Sequence, residues 1–179
     1  MTNNEIRAFF VTQMTAMLTA QGHPEIDVVS SFQPDSQGRL DGPVLYFAEA
    51  GDVPNGAQGF TTQHNPLTGS TIDTSVQRWR ITFQVQGFAP VDKTDLGKLT
   101  AQDITKLALM LVNSPRFRAA LKANNMGLEK IPATKPNFVV NDRAQYEAGP
   151  SFEFTMSYKR TIIQQSAIIT TADIAIHRV

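Results

Sequence analysis

The residues of this sequence that could do chemistry are few and widely spaced. His23, His64 and His177 have neither the H-x-x-x-H nor the H-E-x-x-H spacing, so the sequence predicts no metal site. His64 could meet Asp52 and Asp73 in a hydrolytic centre, but no local signal fixes their relative positions. We expect these side chains to be solvated instead.

Glycine and serine motifs do not indicate catalysis either. A phosphate-binding P-loop requires Gly-Lys-Ser/Thr, whereas the glycine-rich stretch GDVPNGAQG continues with Phe60, Thr61 and Thr62. No G-x-S-x-G motif places a serine on a nucleophile elbow. We therefore predict that the protein is not an enzyme and binds no cofactor.

The composition indicates a globular chain with balanced charge. Its 179 residues fit a single domain, predicted over 1–179. Lysine plus arginine and aspartate plus glutamate both total 16, so no net field attracts the protein to nucleic acid or an anionic membrane. The absence of cysteine excludes disulfides and thiolate zinc sites. No signal-peptide pattern and no apolar run of ~18 residues occurs, so we expect neither export nor membrane insertion.

The first part of the chain predicts a helix and a hairpin. Thr2 and Glu5 have capping-box spacing, and apolar residues recur at three- and four-residue steps over 3–21. Two short apolar segments over 26–32 and 44–48, joined by a turn-rich stretch, predict a β-hairpin.

A long loop is predicted next. Residues 49–70 carry four glycines and two prolines with few core-forming side chains, and Phe60 is the one large apolar residue at the middle of the segment. Loops of this length in compact domains are commonly functional.

The stretch VQRWRITFQVQGF predicts a strand, because apolar and polar residues alternate along it. Trp79 is expected in the core with Ile81 and Phe83. The opposite polar face can meet water, a cross-strand partner such as Glu153, or a neighbouring subunit. That face carries Arg78, Arg80, Thr82, Gln84 and Gln86.

The second half predicts two helices followed by strands. Thr100 with Asp103 begins one helix, and Ser114 before a proline begins a second that runs to about 125, where Gly127 can close it. Alternation from 152 to 162 predicts a strand in which Arg160 falls on the apolar side and needs a partner, and 168–176 predicts a last strand. These elements predict an α+β fold, a mostly antiparallel sheet packed against an N-terminal helix and a central helix pair.

The order of these elements resembles the tail terminator, neck and gateway proteins of tailed bacteriophages. The resemblance covers nearly the whole chain and rests on the N-terminal helix, the strand RWRITFQVQGF, the helix TAQDITKLALMLVNSPRF and the C-terminal block GPSFEFTMSYKRTIIQQSAIITTADIAI. It implies a tail-terminator-like virion protein, assembled in the host cytoplasm, that forms a ring of typically six copies. Such a ring joins the head connector to the tail tube and lets DNA pass without sequence-specific binding.

Two groups of candidate contact residues follow, and one alternative function remains open. The predicted loop over 49–70 is a candidate for axial docking to a neighbouring ring through Phe60 and His64. The alternative is a monomeric ligand- or peptide-binding module that uses the same loop, and a small hydrolase ranks third. The candidate subunit or lumen contacts are Arg78, Arg80, Gln84, Gln86, Glu153, Lys159 and Arg160.

Overall fold

A computed structural model describes residues 2–30, 42–65, 67, 69–90, 97–130, 138–140 and 146–167. It contains three helices and seven strands within these ranges. They are α1 (Asn3–Ala20), β1 (Asp27–Ser30), β2 (Val44–Asn65), β3 (Ser70–Phe88), α2 (Ala101–Asn113), α3 (Pro115–Ala123), β4 (Gly127–Lys130), β5 (Phe138–Val140), β6 (Tyr146–Ala148) and β7 (Ser151–Ala167).

Five strands form one sheet in the order β1-β2-β3-β7-β4, and β5 pairs with β6 in a separate two-stranded ladder. The β1–β2 pair is parallel and every other pair is antiparallel. The predicted α+β class with a mostly antiparallel sheet is therefore confirmed.

Side-chain caps fix where the helices begin. Thr2 and Glu5 form a capping box at α1, and Thr100 and Asp103 form another at α2. The hydroxyl of Ser114 accepts from a backbone N–H in the first turn of α3. Each cap satisfies N–H groups that have no acceptor within the helix, so these starts could be predicted from local sequence.

The helix α3 ends two residues before the predicted position of about 125, and Gly127 does not close it. The helix stops at Ala123, and Asn124 is its C-cap. Asn125 adopts the left-handed conformation, with φ 56°, that was expected of a closing glycine. Gly127 instead begins β4, where a Cβ would lie 3.0 Å from the hydroxyl of Ser157 on β7.

The helices cover one face of the sheet, which we call the helix face. Phe10 of α1 is fully buried there among rings from the sheet and from α3. Its ring centroid lies 4.4 Å from Phe47, 5.4 Å from Phe154, 6.0 Å from Phe117 and 6.2 Å from Phe83. Residues from every layer thus share one core.

The strands over 26–32 and 44–48 do not form the predicted hairpin. Within the described residues β1 spans Asp27–Ser30, and it runs parallel to β2 with Asp27 opposite Val44. A hairpin would be antiparallel, so this parallel pair is not one. The turn-rich composition of the connection does not report strand direction.

The predicted loop over 49–70 is also wrong, because β2 continues to Asn65 and pairs with β3 up to Ser70. Two register shifts, between Glu49 and Gly51 and between Asn55 and Gly59, accommodate the glycine-rich sequence as bulges. Among the described residues β1 pairs only with residues 44–47 of β2, so β2 is an edge strand at Pro54, where a proline is tolerated. The alternative of a ligand-binding loop loses its structural basis.

Three strands extend beyond the helices as an arm, made of residues 55–65, 70–78 and 159–167. Residues 56–64 and 159–166, which form its outer strands, are exposed. About nine residues per strand give the arm a length of roughly 30 Å. The prediction of a last strand over 168–176 lies outside the described residues.

Candidate functional site

Six of the seven candidate contact residues lie together on the face of the sheet opposite the helices, which we call the reverse face. Alternation along β3 and the unbroken register between β3 and β7 send their side chains to one side. Trp79 points the other way and is half-buried against the core. The six residues are Arg78, Arg80, Gln84, Gln86, Glu153 and Lys159.

Some polar side chains of the reverse face have partners within the same chain. Arg80 pairs with Glu129 of β4 at 2.7 Å. The hydroxyls of Thr82 and Thr155 lie 3.1 Å apart across the β3–β7 pair. The partner of Arg80 is therefore Glu129 and not Glu153, which lies opposite Gln84. The sequence held no signal for this pair, because β4 joins the sheet beyond β7.

Arg78 and Lys159 occupy directly opposite positions on β3 and β7. Both side chains are exposed, and neither has a carboxylate partner in the part of the chain that the structure describes. Like charges directly opposite each other destabilise an antiparallel pair. This is the one place where the reverse face concentrates charge of a single sign without an internal counterion among the described residues.

Arg160, the seventh candidate, lies on the helix face, as its place in the alternation indicated. Its guanidinium carbon lies 5.5 Å from the centroid of the Trp79 ring, within cation–π range. One of its terminal nitrogens donates to Asn3 Oδ1 at 3.3 Å. The arginine that interrupts the apolar face of β7 is therefore stabilised by an aromatic ring and the start of α1.

A polar junction joins the N-terminus of α1 to the base of the arm, and sequence reasoning missed it. The Tyr158 hydroxyl donates to Asp52 Oδ2 at 2.8 Å and lies 3.2 Å from Asn3 Oδ1. Asn3 Nδ2 donates to Glu49 Oε1 at 3.1 Å, and Arg7 pairs with Glu49 at 2.8 Å. The acids of this junction, Glu49 and Asp52, belong to the segment predicted as a loop, so no local pattern could predict that they contact α1.

Within this junction the carboxylate of Asp52 has one oxygen atom that is buried without a hydrogen bond from any described residue. Its Oδ1 is buried and has no hydrogen-bond donor among the described residues, although its Oδ2 accepts from Tyr158. Burial first, and then the hydrogen bond to the carboxylate, raise the pKa of Tyr158 to about 12. The phenol is therefore held neutral.

The raised pKa of Tyr158 predicts a loss of stability at high pH. Below pH 10 the phenol is neutral in both states, so its contribution is fully present. Between pH 10 and 12 it ionises only in the unfolded chain, which lowers the free energy of unfolding by up to roughly 2–3 kcal/mol. Urea unfolding of the wild type and Tyr158→Phe from pH 9 to 12 should show the wild type losing this stability relative to the variant. A constant difference would contradict the assignment.

Phe60 and His64, the candidate docking residues, lie on β2 near the tip of the arm. Phe60 is opposite Ser75 and His64 is opposite Thr71, and both are exposed. Phe60 exposes 74% of its surface, and Ile162 next to it across β3 exposes 58%. Ile163, on the other face of the arm, exposes 68%. The arm thus presents apolar side chains on both faces.

The structure places His64, Asp52 and Asp73 on strands, and the expectation that all three are solvated is wrong for Asp52, whose Oδ1 is buried. Asp52 and His64 lie opposite Ile81 and Thr71, ten positions apart on β3, so they are separated by roughly 33 Å at about 3.3 Å per residue. Asp73 accepts a hydrogen bond from Thr62 at 2.7 Å. Within the described ranges no three His, Cys, Asp or Glu residues are grouped closely enough to hold a metal ion. Among the described helices, none is both long and apolar enough to cross a membrane.

The fold and its surfaces define an α+β protein with a projecting three-stranded arm. Residues 5–168 match the family described as the E217 gateway protein gp29, a phage head–tail gateway family. Because the match covers most of the sequence, the chain belongs to this gateway family. The resemblance drawn from the order of the elements is therefore confirmed. No curated protein matches the chain.

Proposed function

We propose that this protein is a structural subunit of a phage virion that assembles with itself into a ring, a hexamer by resemblance, at the junction of head and tail. The ring joins the connector to the tail tube and leaves a passage for DNA. Membership of the gateway family supports the site of action. The single structural observation that supports assembly is the arm, whose two faces are uncovered within the described residues.

The exposed edges and apolar side chains of the arm are unfavourable in an isolated chain, which favours a role for the arm in contacts with other chains. Three strands with exposed outer edges are a template for pairing with other chains, and soluble monomers normally shorten or cover such edges. Phe60, Ile162 and Ile163 add apolar area that water solvates poorly. Neighbouring subunits, or an adjacent ring that the arm tip contacts through Phe60 and His64, would bury this surface.

The reverse face carries the second set of contacts. Gln84, Gln86 and Glu153 lie on this face, which a neighbour or the passage itself would contact. The balanced charge of the chain suits a passage, since a strongly basic wall would retain DNA by counterion release. No sequence-specific contact to DNA is required for this role.

The role of the arm is tested with Phe60→Asp. The substitution should reduce head–tail joining at least about tenfold, because a charge replaces an apolar contact that an interface would bury. The matched control is Met110→Asp, since Met110 of α2 is 71% exposed against 74% for Phe60. The measurements are light-scattering mass of each purified protein, alone and mixed with particles from the same phage, and electron microscopy of the particles. Equal joining by the two variants would refute arm docking.

The ring itself is tested by the same measurements on the wild type. A closed ring in solution, or protein localised at the head–tail junction of particles, is the expected result. A monomer that joins no particle would overturn the proposed function.

A further inference from the structure

The unpaired cations at the base of the arm have a cleft beside them. Arg78 and Lys159 border a cavity of about 260 Å³ together with Ser157, Asn125 and Gly127. Its wall is the turn in which Asn125 takes the left-handed conformation and Gly127 approaches β7 closely. The two charges are therefore held at the mouth of a concave site built from β3, β7 and the α3–β4 turn.

The chemistry of this cleft selects an anionic side chain. Two cations at adjacent positions, with the Ser157 hydroxyl nearby, match a carboxylate, whose oxygens accept several charge-assisted hydrogen bonds. The volume lies below the roughly 300–1,000 Å³ of small-molecule sites. A wall that tracks DNA would need a row of cations, whereas Arg80, the next cation along β3, is already neutralised by Glu129.

The same chain offers a carboxylate at the far edge of the sheet. Asp27 begins β1, is exposed, and has no side-chain partner among the described residues. Its register partners, Val44 and then Phe88, put it on the reverse face with Arg78 and Lys159. Phe88 is ten residues from Arg78 on β3, so the two charges are roughly 30 Å or more apart within one subunit. They can pair only between copies.

From this charge complementarity we infer that the cleft at Arg78 and Lys159 receives Asp27 of a second copy of this chain. The inference rests on the self-assembly proposed above and names the contact that produces it. Two copies could exchange this contact in a closed dimer, whereas the proposed ring requires its heterologous form, in which each cleft receives Asp27 of the next copy until rotation closes the ring. The like-charge pair is stabilised only when the neighbour is in place, which makes the isolated subunit incomplete at this point.

A charge-swap mixture tests the pairing. One variant carries Arg78→Glu with Lys159→Glu, and the other carries Asp27→Lys. Each alone should self-associate at least about tenfold more weakly than wild type, because like charges then face each other at every contact. An equimolar mixture should restore assembly, since each variant is complementary to the other. Lys106→Glu, at an exposed position on α2, is the matched control and should assemble as wild type does.

Cross-linking provides the second measurement. Because the sequence contains no cysteine, only the introduced cysteines can react. Asp27→Cys combined with Lys159→Cys should give a ladder of covalent oligomers with a short bis-maleimide, both in solution and in assembled particles. A bis-maleimide is preferred because a disulfide requires Cα atoms within about 7 Å. Either single variant should give at most dimers.

The results of these experiments show whether the Asp27 contact fails alone or together with the proposed function. Wild-type rings without a ladder, and without rescue in the mixture, would overturn the Asp27 contact and leave the ring intact. A wild-type protein that never assembles overturns both. Loss of salt-sensitive DNA binding in the Arg78 and Lys159 variant, with assembly unchanged, would replace the carboxylate by DNA phosphate and refute the inference.

Discussion

Replacing Phe10 with alanine should lower the free energy of unfolding by about 4 kcal/mol, within the range typical of fully buried phenylalanines. Phe10 has no exposed surface and lies within 6.2 Å, centroid to centroid, of four other rings. These rings come from β2, β3, β7 and α3. Truncation would leave a cavity shared by both layers, and no single element could move to fill it.

Phe9 provides the matched control, because it is the same residue type one position earlier on the same helix. It is only partly buried, and its ring contacts Phe117 at 6.2 Å. Phe9→Ala should cost less than about half as much as Phe10→Ala, in proportion to the smaller loss of buried area. Urea unfolding of both variants measures the difference. Equal losses would show that Phe10 does not occupy the centre of the core.

Gly87→Ala should be almost as damaging, with an expected loss of about 3 kcal/mol from overpacking. A Cβ at this position would lie 2.5 Å from Thr105 Oγ1 and 2.6 Å from the Ala101 carbonyl oxygen. The same threonine hydroxyl accepts from the Gly87 N–H at 3.0 Å and lies 3.0 Å from the Pro150 carbonyl. The added methyl group would therefore separate α2 from β3 and break a buried hydrogen bond.

The control for this substitution is Gly59→Ala, also in a strand. A Cβ there meets nothing closer than the Val76 carbonyl oxygen at 3.8 Å, an ordinary contact. Thermal unfolding should place Gly59→Ala near wild type and Gly87→Ala well below it. Similar melting temperatures for the two variants would mean that α2 does not approach β3 at Gly87.

Local signals predicted the elements that depend on neighbouring residues. The capping boxes at Thr2 and Thr100 and the alternation along β3 need only three to nine consecutive residues, and all three were predicted at the right places. The second half of β2 was not predicted, because its glycines indicate turns locally. Its strand conformation depends on pairing with β3, which the local sequence does not show. The direction of β1 relative to β2 was predicted wrongly for the same reason.

The candidate contacts show the same division. Alternation alone assigned Arg78 and Lys159 to one face and Arg160 to the other, as the register confirms. The partners Glu129 of Arg80 and Asp52 of Tyr158 could not be predicted, because each pair joins strands that are distant in sequence. Faces can thus be predicted from a strand's own residues, whereas contacts across the sheet require the strand order.

The arm is built from the same β2, β3 and β7 that form the core, with β3 unbroken from Ser70 to Phe88. No linker separates the tip from the body, so a force on the tip would be transmitted to the sheet. A push on its tip would load the hydrogen bonds of the ladder in shear and tilt the helices with the sheet. In the ring proposed above, the same tilt in every subunit would change the width of the central opening.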